Sequence, residues 1–164
     1  MPQSSSLMKD IFLIKHASTA PGLRLLGLGP NFKPINGLEK LQLLFNQNAL
    51  WAKDRTLGQI KKMLENSNVI ITLWNKDKLI GFGRATTDQV YRAVLWDIVV
   101  SKDLQRIGLG KVLVEELLKD KKIFSAEKVY LMTTDSKEFY KQLGFKVNIN
   151  QSLMILNQRY EGIK

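Results

Sequence analysis

The sequence predicts an α/β domain in an α+β arrangement, with a mixed, mostly antiparallel sheet flanked by helices. Apolar residues recur at helical spacing before residue 66, β-branched and aromatic residues then fill two runs around a short turn, and strand-like and helix-like runs alternate thereafter. Helices, an antiparallel pair and a β-α-β-α-β order are typical of such a sheet. A length of 164 residues with 45% hydrophobic residues suits one domain.

The N-terminal half contains one predicted strand and two predicted helices. Ile11–Lys15 is an apolar run that suits a first strand, and the glycines and prolines of residues 20–34 indicate an irregular connection. Apolar residues at helical spacing predict helices over residues 36–47 and 56–66. Thr56 is the predicted N-cap of the second helix, because its hydroxyl can accept a backbone N–H of the first turn.

The C-terminal half begins with a predicted hairpin, since residues 68–75 and 78–88 are β-formers on either side of a two-residue turn. Further strands are predicted over residues 91–100, 128–134 and 152–159. Further helices are predicted after Gly108 and over residues 136–143, the latter ended by Gly144 as its C′ residue. The predicted apolar side of the Gly108 helix consists of Leu109, Val112, Leu113, Leu117 and Leu118.

Composition excludes several kinds of chemistry. The chain has no cysteine, so disulfides, thiolate metal ligands and a cysteine nucleophile are excluded. One histidine, His16, cannot form a multi-histidine metal site, and a general base must lie elsewhere unless His16 serves. We therefore predict no metal. The N-terminus has no apolar signal core and no run is long enough for a membrane span, which predicts a cytoplasmic protein, or one of the plastid stroma if it is organelle-encoded.

The formal net charge of +10 is spread along the chain. A basic surface attracts nucleic acid, anionic membranes or phosphate-bearing cofactors. The sequence shows no arginine-rich tract and no aromatic residues interleaved with basic ones, so we interpret the charge as a solvated surface and expect no nucleic-acid partner.

Two glycines, Gly108 and Gly110, stand where a predicted strand leads into a helix, which is typical of a phosphate-binding loop. The segment does not match a Walker loop, because Val112 stands where Ser or Thr is required and Gln105 stands where the first glycine is required. It does not match a Rossmann fingerprint either, because Leu113 stands where the third glycine is required.

The segment QRIGLG (residues 105–110) matches the remaining pattern, Gln/Arg-x-x-Gly-x-Gly/Ala, and resembles motif A of the GNAT N-acetyltransferase superfamily. The resemblance implies that backbone N–H groups of this loop hold the pyrophosphate of acetyl-coenzyme A, the co-substrate. Bare glycine backbone and the positive end of a helix suit an anion. The implied pyrophosphate residues are Gln105, Arg106, Ile107, Gly108, Leu109, Gly110 and Lys111.

A second segment, EFYKQLGF (residues 138–145), resembles motif B of the same superfamily and lies one predicted strand after motif A. The resemblance implies that Tyr140 is the general acid that protonates the thiolate leaving group. It also implies a single GNAT domain over residues 9–164, with about six to seven strands and a splayed strand pair that holds acetyl-coenzyme A. The sequence before this domain, residues 1–8, is predicted to be a flexible tail. Within the superfamily, the sequence is most similar to the plastid and cyanobacterial branch.

The predicted strand before motif A contains DIVV (residues 97–100). By the resemblance, backbone groups of Ile98, Val99 and Val100 bind the pantetheine arm, and the Ile98 N–H receives the thioester carbonyl as an oxyanion. An attacking amine must lose a proton, and we predict Asp97 as the base, directly or through water, with Asp88 as the other nearby acid.

Motif B departs from the family pattern at Thr134, where many relatives carry an asparagine that touches coenzyme A. The following Asp135 and Glu138 have capping-box spacing, so we expect them to cap a helix.

The sequence therefore predicts an acetyl-coenzyme A dependent N-acetyltransferase that acts on a protein lysine, an N-terminal amine or a small alkylamine. The alternatives are a dedicated arylalkylamine (serotonin-type) acetyltransferase and a non-catalytic regulator that binds coenzyme A or associates with nucleic acid. We expect a monomer or a homodimer.

Overall fold

A computed structural model describes residues 9–20, 22–25 and 33–158. Its sheet has five strands in the spatial order β1-β2-β3-β4-β5, with the first four antiparallel and β5 parallel to β4. The strands are β1 Ile11–Lys15, β2 Val69–Asn75, β3 Lys78–Thr87, β4 Arg92–Val100 and β5 Lys128–Tyr130. The helices are α1 Gly37–Asn48, α2 Leu57–Glu65, α3 Leu109–Lys119, α4 Lys121–Phe124 and α5 Lys137–Gln142. This confirms the predicted α/β class with a mixed sheet.

The hairpin predicted around Lys76 and Asp77 is confirmed, because β2 ends at Asn75 and β3 begins at Lys78. Lys76 takes the left-handed backbone conformation (φ 54°) that such a tight turn needs. β3 changes register twice, once against β2 between Leu73 and Trp74 and once against β4 between Phe82 and Arg84. The second shift produces the geometry of the site described below.

Helices α1 and α2 bury their apolar sides against one face of the sheet. A single core cluster joins Leu41 and Phe45 of α1 and Ile60 of α2 to Phe82 of β3 and Val99 of β4. Thr56 caps α2 as predicted, since its hydroxyl accepts the Gln59 N–H while the Gln59 side chain accepts the Thr56 N–H. The predicted irregular connection between β1 and α1 falls partly on residues 26–32, which lie outside the described ranges.

Helix α3 packs against β2, β3 and β4. Gly108 is its N-cap, as expected from the sequence. Its fully packed side is formed by Leu109, Leu113, Val114 and Leu117. Val112 and Leu118, which the sequence placed on this side, are only half-buried, because they lie at the margins of the apolar stripe.

His16 lies just after β1 in a buried polar network. Its Nδ1 donates to the carbonyl of Arg24 (3.2 Å), which leaves Nε2 to accept from the Thr72 hydroxyl at 2.6 Å. The same hydroxyl oxygen accepts the indole N–H of Trp74 at 2.7 Å. Burial lowers the pKa of His16 to about 4, against an opposing contribution from the Arg24 hydrogen bond, so the ring is neutral at physiological pH.

The chain divides into two units, one that ends at Met132 and one that starts at Thr133. The second contains α5, and Gly144 (φ 92°) is its C′ residue as predicted. The predicted Asp135–Glu138 capping box does not form. The helix starts one residue later, with Ser136 at the N-cap, so that Glu138 pairs with Lys141 instead (2.9 Å).

Two predicted strands differ in the structure. The strand expected over 128–134 is limited to β5, whose following residues are largely exposed. The last strand, expected over 152–159, is absent from the described part, where residues 151–158 have no regular secondary structure. A strand requires a hydrogen-bonding neighbour, and none pairs with these residues in the described ranges. The described sheet therefore has five strands instead of six to seven.

Across the described ranges, no helix is long and apolar enough to cross a membrane. The same residues contain no group of three or more histidine and acidic side chains suited to hold a metal ion.

Candidate active site

The most distinctive feature of the sheet is the separation of β4 from β5. Only Arg92–Val94 of β4 pair with β5, opposite Lys128–Tyr130. The rest of β4, Leu95–Val100, pairs with β3 on one side, and within the described part of the chain no strand pairs with it on the other. The unpaired backbone N–H and C=O groups along this free edge of β4 can bind an extended ligand as a strand would.

A β-bulge lies in the middle of this free edge. Phe82 pairs with Val99 and Arg84 with Trp96, so Gly83 alone lies opposite two residues, Asp97 and Ile98. Asp97 adopts φ 53°, a left-handed conformation that non-glycine residues rarely take. Such a bulge interrupts the ladder and re-aims the backbone groups beside it. The Ile98 backbone therefore sits at the irregular point of the strand.

Asp97 is held by two guanidinium groups. Its Oδ2 accepts from Arg84 Nε at 2.7 Å, and its Oδ1 accepts from Arg55 Nη2 at 3.1 Å. The Asp97 side chain is only 6% exposed. Burial raises the pKa of its carboxyl, but the Arg55 hydrogen bond and the Arg84 charge outweigh burial and hold the pKa below its usual range. An ionised carboxylate with two cations is a weak proton acceptor, which favours an ion-pair role over the base role expected for Asp97.

The loop after β4 is anchored at its start. The Ser101 N–H donates to the Ile80 carbonyl at 2.8 Å, and the Lys102 N–H donates to Oδ1 of Asn48, at the end of α1, at 2.8 Å. Gln105 reaches back, and its amide nitrogen donates to the Val100 carbonyl at 3.1 Å. Gln105 thus braces the turn that carries the chain from the free edge to α3.

The loop ends in two left-handed residues, Arg106 (φ 66°) and Gly108 (φ 94°), and no side chain of the described residues caps the N-terminus of α3. Alternation of left- and right-handed residues turns successive N–H groups toward one side, which is the geometry of an anion-binding nest. A Cβ on Gly108 would meet no atom within 4 Å, so the space beside its backbone is open. The helix dipole, the uncapped N–H groups and the exposed Arg106 and Lys111 side chains together suit a phosphate.

The other implied pyrophosphate residues lie in the same turn. Ile107 is exposed and Gly110 is half-buried in the first turn of α3. The Leu109 side chain is packed in the core, so it can offer a ligand only its backbone. The structure thus brings Ile98–Val100 and residues 105–111 together on consecutive segments of one unit.

Tyr140 lies in the second unit, on α5. Its ring makes edge-to-face contacts with Phe139 (centroids 4.9 Å apart) and Phe145 (5.9 Å). Burial raises the pKa of the Tyr140 phenol, so that the hydroxyl stays protonated at neutral pH. A protonated phenol is the state that an acid catalyst requires.

Asp88, the other candidate base, stabilises a turn. Its Oδ1 accepts the N–H groups of Val90, Tyr91 and Arg92 at 2.7–2.9 Å. These backbone hydrogen bonds, led by that of Arg92, lower the pKa of the Asp88 carboxyl. Asp88 therefore stabilises its own turn through Oδ1.

Sequence reasoning missed Arg55 and Arg84. Arg84 offered a signal, because it is the one charge in the interior of the apolar strand KLIGFGRATT, whose other charge is its first residue, Lys78. A charge in such a position is normally paired. Arg55 lies between two helices and carried no comparable signal.

Comparison with known proteins agrees with this geometry. The family model described as Acetyltransferase (GNAT) family matches residues 38–145. A protein of Pyropia yezoensis named uncharacterized N-acetyltransferase ycf52 is 40% identical over 118 residues, which are 69% of this chain and 66% of that relative. The GCN5-related N-acetyltransferase 2, chloroplastic, of Arabidopsis thaliana is 40% identical over 73 residues, 43% of this chain and 28% of that protein. The chain thus spans less than two thirds of either relative.

Among solved structures, a GNAT-family acetyltransferase from Streptococcus pneumoniae TIGR4 superimposes with a TM-score of 0.66. The match covers 91% of this chain and 98% of that one at 22% sequence identity, and it therefore concerns the fold.

Proposed function

Because the chain belongs to the acetyltransferase family called GNAT, we propose that it transfers the acetyl group of acetyl-coenzyme A to a primary amine by direct attack on the thioester. The observation that carries this proposal is the continuity of the free edge of β4 with the uncapped start of α3. The first suits an extended, amide-containing arm, and the second suits a pyrophosphate. Coenzyme A contains both groups.

In this proposal, backbone groups of Ile98, Val99 and Val100 bind the pantetheine arm. The loop of residues 105–111 receives the pyrophosphate, with backbone N–H groups after Gly108 as donors and Arg106 and Lys111 as charge partners. Gln105 holds the loop against Val100.

The chemistry requires one bond to form and one to break. The neutral amine nitrogen attacks the thioester carbonyl carbon, and the Ile98 N–H stabilises the oxyanion. The C–S bond then breaks, and Tyr140 gives its proton to the departing thiolate. The tyrosinate regains a proton from water, and the amine proton passes to water. We assign that proton to water because two arginines already engage the Asp97 carboxylate.

The acceptor is an amine of a protein or of a small molecule. Incubation with acetyl-labelled coenzyme A and serotonin, tryptamine, lysine peptides and peptides with free N-termini separates these acceptors. Transfer to any of them supports the proposal. Binding of coenzyme A without transfer to any amine would indicate the non-catalytic regulator instead.

The chloroplast designation in the name of the Arabidopsis relative supports a plastid location for this chain. Fractionation of the source cells with an antibody against the chain tests it, and recovery outside plastids would refute it.

A further inference from the structure

We propose that Asp97 is a positioning residue, which with Arg55 and Arg84 fixes the β4 bulge so that the Ile98 N–H is preorganised for the oxyanion. The proposal rests on the proposed acetyl transfer. It names two further residues, Arg55 and Arg84, on which turnover depends although neither is assigned any contact with a substrate. We call Arg55, Asp97 and Arg84 the bulge clamp.

The bulge needs such a clamp because its conformation is unfavourable by itself. A non-glycine residue in the left-handed conformation is strained, and it persists only where its surroundings hold it. Asp97 has φ 53° and lies opposite Gly83, in a segment with which no described strand pairs on the other edge. The two ion pairs are the contacts that hold its side chain.

The two arginines are themselves fixed, so they can transmit position to Asp97. Arg84 lies on the neighbouring strand, where its guanidinium stacks 5.6 Å from the Trp96 ring and its Nη1 lies 3.4 Å from the Ser67 hydroxyl. Arg55 comes from the segment before α2, where its guanidinium lies 5.1 Å above the Phe45 ring. The bulge is therefore attached both to β3 and to the helical layer.

The geometry separates the clamp from the reacting groups. Arg84 lies two residues after Phe82, which packs against α1 and α2, so Arg84 is on the same face of β3, and there its side chain contacts Trp96 and Asp97. Ile98 instead turns its side chain to the opposite face, toward Gly83 and Leu117 of α3. The side chains of Asp97 and Ile98 are therefore held on opposite faces of the sheet, which fixes the conformation of the backbone between them. Preorganised donors of this kind are efficient because they need no reorganisation during the reaction.

The informative variants are Asp97→Asn and Arg84→Met. Asparagine tolerates the left-handed conformation, so Asp97→Asn removes the charge with little added backbone strain. Asp54→Asn is the matched control, because Asp54 has φ 63°, is exposed and forms no ion pair within the described residues. We expect kcat to fall about 10- to 100-fold in both clamp variants and to stay unchanged in the control, because small misplacements of reacting groups cost about that much.

The pH profile of kcat/KM separates positioning from base catalysis. If the clamp positions the backbone, the acid limb of the profile stays where it is in Arg84→Met. If Asp97 were the base, loss of the Arg84 charge would raise its pKa and move that limb to higher pH. A moved limb, or turnover equal to the Asp54→Asn control, would overturn the proposal.

A readout that does not need turnover keeps the test valid if no acceptor is found. The backbone amide resonances at the bulge, above all that of Ile98, should shift in Arg84→Met, which changes no chain neighbour of Ile98, and stay in place in Asp54→Asn. An inactive wild type with these amide shifts would refute the proposed transfer and leave the clamp standing. An unmoved Ile98 resonance would refute the clamp.

Discussion

Gly83 lies directly beneath Ile98: a Cβ built on Gly83 would come within 3.0 Å of the Ile98 Cδ1 and 3.1 Å of the Leu117 Cδ1. The missing side chain lets helix α3 and the bulged strand pack closely over β3. Leu117 is fully buried, so it has little room to withdraw.

Gly83→Ala should lower the free energy of unfolding by about 1 kcal/mol, since overpacking in a filled core forces side chains to shift. Urea denaturation of the variant and wild type measures this. Gly58→Ala is the control, because its Cβ would approach no atom closer than 4.0 Å within α2. Alanine there should raise stability by about 0.5–1 kcal/mol. Equal stability of the two variants would contradict the close packing of Gly83 against Ile98 and Leu117.

Gly108→Glu should abolish measurable binding of acetyl-coenzyme A by calorimetry and leave the chain folded. The new side chain brings a negative charge and bulk to the open space where we expect the pyrophosphate. The variant also forces a non-glycine residue to φ 94°. Gly144→Glu carries the same charge and similar strain at φ 92°, at an exposed position where a Cβ would meet no atom within 4 Å, and it should bind normally. Unchanged affinity in Gly108→Glu would rule out this loop as the pyrophosphate site.

Tyr140→Phe should lower kcat about ten- to a thousand-fold and leave the affinity for acetyl-coenzyme A nearly unchanged, because the ring stays and only the acidic proton is lost. The aromatic contacts with Phe139 and Phe145 remain possible for phenylalanine. Tyr91→Phe, at a tyrosine that is 61% exposed, is the control for loss of a phenol. Wild-type turnover in Tyr140→Phe would exclude Tyr140 as the acid.

Stability should fall as pH decreases from 7.5 to 5 because of His16. The folded ring has a pKa of about 4, whereas the unfolded ring titrates near 6.5, so protons bind the unfolded chain first. The contribution of neutral His16 is complete above the unfolded pKa and is lost as pH falls toward the folded one. We expect His16 to lower the free energy of unfolding by about 2 kcal/mol between pH 7.5 and pH 5. Urea titrations of the wild type and His16→Gln measure it, and an identical pH slope in both would refute it.

The features that the sequence predicted correctly depend on local chemistry. Thr56 and Gln59 form a capping box, Gly108 opens a helix, and Gly144 ends one, each because neighbouring residues determine the backbone conformation there. The hairpin around Lys76 follows from turn chemistry in the same way. The family motif QRIGLG is also a short continuous segment, and its resemblance indicated the loop of residues 105–110 and the free edge of β4 before it.

The features that it did not predict depend on partners far along the chain. Arg55 and Asp97 are 42 residues apart, and no periodicity indicates that they meet. The role expected for Asp97 rested on its place beside the pantetheine strand, whereas its chemistry is set by two cations from other elements. The limits of β5 likewise depend on which strand lies beside it, because β-structure is decided by neighbours more than by intrinsic preference.

The free edge of β4 has a consequence for the behaviour of the protein in solution. Edge strands with unpaired backbone groups are templates on which other chains can add, and proteins usually protect them with charges, prolines or covering segments. Leu95–Val100 contains one acidic residue, and Arg55 and Arg84 neutralise it. A ligand that occupies this edge therefore also shields it. If acetyl-coenzyme A binds there as proposed, we expect the unliganded protein to aggregate more readily, and we expect the acyl donor to keep the chain dispersed during expression and storage.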